Sequence, residues 1–410
     1  MVSCLPLRKL VSRQKRTRRR ESHEPHSLEP LEHAPHSPTC CLPRAASESV
    51  QLPVELWLEI IRHVSDAHVL AQLMRVNSTF HAATEPVLYH NVKLETDNAI
   101  VMFAQSLSWG PHRPRLIHGL TVSTLITIPH SLAARLEPLP NWGVKGCKAI
   151  LSANYPSLRT FTSNLVAILV IPFVKRHTHI EELHLMGHPT LQSHTWPSGV
   201  TATHKLKLPS LRSLTCPPRF LDGALDIPAA LTHLSLLPLD SNMLFLPSAS
   251  PSFRSQLVSL RVRLIRFSRR PQALRPITLD DVVASFPKLK YLQVDMYYSS
   301  QPYELRTDAL LHWTAKRNPD RHTTAAHRLT VAWIFPYPPE RGVDLVRAAQ
   351  WHQVMKEVAL NVLLEWEHLV ERIIFKHTII PRVSVALNEY RTGLVCTQEW
   401  GMADNYWNTV

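Results

Sequence analysis

Histidine, cysteine and carboxylate are the side chains most able to do chemistry, and the chain has 24 histidines, six cysteines and 32 acids in 410 residues. Spacing must therefore decide whether any of them act together. His23, His26, His33 and His36 form two H-x-x-H pairs, which on one helix face would aim imidazoles at a shared metal. Pro25 and Pro35 stand inside those pairs and deny them a helix, so no metal is expected there. Asp280-Asp281 and Glu181-Glu182 are adjacent carboxylates. Neighbouring residues do not face each other on a helix, and on a strand they point to opposite sides, so neither pair suits acid–base work. Asp280-Asp281 reads instead as the start of a helix. No G-x-S-x-G, H-E-x-x-H, C-x-x-C or kinase signature occurs, and G-x-G-x-x-G and G-x-x-x-x-G-K-[ST] are missing too. The stretch "GVKGCK" at 143–148 has the wrong spacing for a phosphate loop. With ten glycines against 33 prolines, there is little material for such loops at all. The expectation is a non-enzyme with no catalytic residue, no metal and no cofactor.

The formal charge of +13 suggests nucleic acid until it is mapped. Arg8, Lys9, Arg13, Lys15, Arg16, Arg18, Arg19 and Arg20 supply eight charges in twenty residues without one acid, and taking them from +13 leaves +5 for the other 390. The charge belongs to a tail. It reads as a solvated segment, with a nuclear-localisation signal or nucleic-acid binding through residues 8–20 as the functional alternatives. Residues 1–48 are basic, then rich in Pro, His, Ser and Glu, with no apolar period, and are expected to be disordered. Cys4, Cys40, Cys41, Cys147, Cys216 and Cys396 make no paired framework, which points to a reduced protein of the cytoplasm and/or nucleus. The run "LVAILVIPFV" at 165–174 is far shorter than the ~20 residues a membrane span needs.

With the reactive side chains set aside, the elements carry the reading. In "LPVELWLEIIRHVSDAHVLAQLMRVNSTFHAATEPVLYHNVKL" (52–94), Leu56, Ile60 and Val64 recur at fours, broadened by Trp57 and Ile61. That is an amphipathic helix of about three turns, with Pro53 expected at its first position and Leu52 held outside it. Asp66 starts a second helix with the stripe Val69, Leu73, Val76 and Phe80; Pro86 is expected to interrupt the helix, and Val92 and Leu94 alternate as in a strand. Some forty residues cannot bury two such stripes among themselves.

Beyond them an L-x-x-L-x-L skeleton recurs at Ile117/Leu120/Val122, Leu158/Phe161/Ser163, Ile180/Leu183/Leu185, Leu211/Leu214/Cys216, Leu231/Leu234/Leu236, Leu257/Leu260/Val262, Leu289/Leu292/Val294, Ala326/Leu329/Val331 and Val370/Ile373/Phe375. Several copies open with Pro-x-Leu, as in "YPSLRTF", "LPSLRSL" and "FPKLKYL". The starts are 41, 22, 31, 20, 26, 32, 37 and 44 residues apart, and the asparagine that ladders a regular leucine-rich repeat is missing. The expectation is an α/β chain: an irregular leucine-rich-repeat-like solenoid with parallel strands. Helices are expected at 145–154, at Thr278–Ala284 with Thr278 as cap, and over 342–369. The last carries the stripe Trp351, Val354, Met355, Val358, Val362, Trp366 and Leu369, and reads as a cap on the solenoid's end.

Leu52-Pro53-x-Glu55-Leu56, Ile60, Asp66, Leu70, Leu73, Val76, Phe80 and Pro86-x-Leu88-Tyr89 together resemble an F-box of the fungal type. Asn77 departs from it, standing where a Ser or Cys is usual. The resemblance covers about 45 residues and implies a short helical F-box that docks on a Skp-type adaptor, and so on a cullin–RING ubiquitin ligase, through Leu52, Pro53, Leu56, Ile60, Leu73, Val76 and Phe80. The expected organisation is a tail over 1–48, the F-box-like motif over 50–94, the repeat body over 95–380 and an irregular tail over 381–410. The expected function is a substrate receptor gripping the adaptor at one end and an unknown target protein along the body, with no membrane and no nucleic-acid partner. The alternative is a ligase-independent interaction scaffold whose helical segment caps the solenoid.

Overall fold

The computed structural model describes residues 52–123, 142–165, 167–186, 205–223, 225–240, 251–266, 279–298, 328–335, 345–366, 369–377, 382–387 and 394–399. The sequence readings on residues 1–48, on Thr278 and Ala326, on the side chains of Asp280, Asp281, Trp351 and Val354, and on Trp400, Tyr406 and Trp407 lie outside them. The chain divides into two compact units, residues 1–90 and 91–410.

The first unit consists of helices Val54–His63, Ala67–Leu73 and Ser78–His90. Pro53 is not the first helical residue, as expected, but the cap: its ψ of 146° is extended, while its carbonyl already accepts from Leu56 and Trp57 N–H at 3.1 and 3.3 Å. A cap donates nothing to the helix, so the missing N–H costs nothing there either. Pro86 does not interrupt the third helix, which continues to His90. An interior proline costs about 3 kcal/mol. Tyr89, in the turn after it, is buried, and covering its ring offsets part of the cost.

The second unit is mixed α/β. Twelve strands form one sheet: β1 (Asn91–Leu94), β2 (Gly119–Val122), β3 (Thr160–Ser163), β4 (Glu182–Leu185), β6 (Ser213–Cys216), β8 (His233–Asp240), β9 (Ser259–Arg266), β10 (Tyr291–Tyr298), β11 (Leu329–Phe335), β12 (Val370–His377), β13 (Arg382–Leu387) and β14 (Leu394–Glu399). The strands lie side by side in chain order, and β5 (Leu206–Lys207) and β7 (Leu225–Asp226) form a separate parallel pair. All pairings from β1 to β12 are parallel, and helices such as Asp97–Trp109, Trp142–Ser152, Ala167–Arg176 and Leu345–Glu365 carry the chain between strands. Parallel neighbours need such a crossover, and the long intervals between skeleton copies supply it.

The skeleton sets the register. Leu120 lies opposite Phe161, Phe161 opposite Leu183, Leu183 opposite Leu214, and Leu214, Leu234, Leu260 and Leu292 continue the row. Every member is buried. The first residue of five copies closes a turn onto the carbonyl three residues back: Leu158 onto Tyr155, Ile180 onto His177, Leu211 onto Leu208, Leu231 onto Pro228 and Leu289 onto Phe286. Pro156, Pro209 and Pro287 fill the second position of three of these turns, where their fixed φ is already correct. The second residue then gives its carbonyl to the next copy. The carbonyls of His118, Arg159, Glu181, Arg212, Thr232 and Val258 each accept two successive N–H groups of the following strand start, at 2.7–3.2 Å.

Three expectations change. Leu292 faces Val331 rather than Leu329, and Val294 faces Trp333, so the β11 copy sits two residues later than read, at Arg328/Val331/Trp333. Trp333 then lies 5.6 Å from Phe375, ring to ring. A shift of two keeps the same side chains inward, so alternation alone could not detect it. Asn91–Leu94, grouped above with the helical motif, is the first strand of the sheet. Residues 382–387 and 394–399 are not irregular: β13 and β14 extend the sheet antiparallel to β12. The expected helices are present as Trp142–Ser152, Leu279–Ser285 and Leu345–Glu365, the last with Met355, Val358 and Val362 buried and Trp366 buried just beyond its end. No described helix is long and apolar enough to cross a membrane.

His177, fully buried, ties helix Ala167–Arg176 to the turn before β3. Its Nε2 accepts from Tyr155 N–H at 3.0 Å and its Nδ1 donates to Phe173 O at 2.8 Å. The bond from Tyr155 needs the neutral ring, because a protonated Nε2 cannot accept, whereas Nδ1 donates in either state. Burial lowers its pKa below the ordinary 6.5, against the pull of the Phe173 carbonyl, and Arg176 and His179 lower it further. The unfolded chain therefore takes up this proton first, so the stabilisation is complete above pH 6.5 and is lost as pH falls through the folded value. Urea midpoints measured from pH 7 to about 5 should drop more steeply for the native chain than for His177→Gln. Parallel pH profiles would contradict this.

Candidate functional site

The paired carboxylates behave as their spacing implies. Glu181 pairs with Arg159 at 3.3 Å, whereas Glu182 turns to Thr160 Oγ1 at 3.5 Å and His184 Nε2 at 3.8 Å. The neighbouring His184, chiefly, lowers the pKa of the Glu182 carboxyl from its ordinary value. His184 in turn bonds Thr215 Oγ1 through Nδ1 at 2.9 Å. Further along the same face, buried Asp295 accepts two bonds from Arg261, at 2.7 and 2.9 Å, and one from Gln293 at 2.7 Å. These are ties along single strands and between neighbouring strands of one sheet. No group of three or more His, Cys, Asp or Glu among the described residues could hold a metal.

The unusual surface lies on the first unit. Among the described residues, seven of the eleven exposed large apolar side chains fall between 52 and 76: Leu52, Val54, Leu56, Trp57, Ile60, Val69 and Val76. Single exposed apolar residues are ordinary, but seven of them in one short unit are not. Helix Val54–His63 explains the arrangement. Ile61 is buried, so Leu56 and Ile60, one turn apart, are left on the outer side at 50% and 47% exposure. Leu52 continues the interval of four just outside the helix, at 38%. Glu59 sits at the polar edge, bonded to Arg62 and His63 at 3.2 Å each. Trp57 meets Phe80 edge to face, centroids 5.2 Å apart, which joins the first helix to the third.

The second and third helices start on side-chain caps. Asp66 Oδ1 accepts from His68 and Val69 N–H at 2.7 and 3.4 Å, as its position suggested. Asn77 Oδ1 accepts from Phe80 N–H at 2.8 Å. Asn77 thus does the capping that a serine would do. The turn between them leaves Val76 62% exposed, its N–H on the Leu73 carbonyl at 3.1 Å.

Of the seven sequence-predicted site residues, Leu52, Pro53, Leu56, Ile60 and Val76 are exposed, and Leu73 and Phe80 are half-buried. Val54, Trp57 and Val69 belong to the same exposed set but were not counted with the site. Trp57 and Val69 were legible only as members of stripes, and periodicity does not say which edge of a stripe faces out.

Removing the Asn77 cap by Asn77→Ala should cost about 1 kcal/mol. Amide hydrogen exchange across 77–84 should quicken roughly fivefold, with Asn77→Ser restoring most of the protection. Equal exchange in Asn77→Ala and the native chain would contradict the capping role. No family model matches the chain, and no curated protein matches it.

Proposed function

We propose that the chain is the substrate-receptor subunit of a Skp–cullin–F-box ubiquitin ligase. The observation that carries the reading is the row Leu52, Leu56 and Ile60 with Val76, exposed on a three-helix unit of some forty residues. Covering a fully exposed leucine or isoleucine contributes about 1.5–3 kcal/mol, and these are about half exposed, so each would add roughly 1 kcal/mol. Together they would make a well-stocked anchor for a helical adaptor, with Leu73 and Phe80 as its floor.

The second unit fits the other half of the task. Its strands, adjacent in chain order and keyed by one skeleton, support reading it as an irregular leucine-rich-repeat-like solenoid. The side chains alternating with the leucines, among them Glu182, His184 and Arg261, would form the strand-lined surface that meets a target protein. Such a receptor performs no bond chemistry. It raises the target's local concentration near a ubiquitin-charged enzyme held elsewhere in the ligase.

Leu52→Ala with Pro53→Ala should abolish pull-down of the Skp-type adaptor while leaving the far-UV circular dichroism unchanged. Retention of the adaptor at the native level by the double variant would rule the docking assignment out.

A further inference from the structure

No further inference is drawn: the strongest candidate, the buried side-chain cluster of Tyr291, Ala332 and Ile374 on the face of β10, β11 and β12 opposite the leucine row, carries nothing because nothing in the structure shows what covers it.

Discussion

The starts of β3, β4, β6, β8, β9 and β10 are each held by one peptide carbonyl of the preceding copy, which accepts two of their N–H groups. That main-chain clasp, set just after a turn and just before a strand, decides where each strand may begin. Once it is made, the two inward residues of every copy have no freedom of register, and Phe161, Leu183, Leu214, Leu234, Leu260 and Leu292 fall into one buried row. Copies of very different length can be accommodated, because the clasp fixes only the start of each strand and leaves the crossover to vary. Prolines at the turns set φ at no cost to the sheet, since the N–H they lack is not one the clasp uses.

The same accounting explains why the first unit stands out. Buried backbone and apolar groups in the sheet find partners within it, while three short helices cannot supply enough surface to cover their own stripes. Caps at Asp66 and Asn77 and the Trp57–Phe80 contact fix the helices, and the outer row remains exposed. In the sheet, Glu182 and His184 pair along β4, and Arg261 and Asp295 pair across β9 and β10.

Much of this was legible from sequence wherever a local rule and a long-range need agree. The skeleton copies from Ile117 to Val294 each name a strand, because an inward pair and a turn-forming proline or hydrophobic residue occur together. Asp66 announced a helix start through its own side chain. The failures share a cause. At β11, alternation repeats every two residues, so Leu329 and Val331 satisfy the pattern as well as Val331 and Trp333, and only pairing with β10 and β12 decides. Pro86 looked like a stop because the burial of Tyr89 is invisible locally. β13 and β14 carry no leucine skeleton, being antiparallel hairpin strands with a different neighbour geometry, so the repeat pattern passed over them. For the helical unit, the stripe was readable but its outward edge was not, which is why Trp57, Val54 and Val69 were left out of the site.

The central claim is that the row from Leu52 to Val76 is a surface for another protein's helices. Hydrogen exchange of the full chain, with and without the purified Skp-type adaptor, addresses it most directly. Adaptor should slow exchange within residues 52–80 and leave β2 to β10 as they were. Unchanged exchange over 52–80, or protection confined to the sheet, would contradict the account.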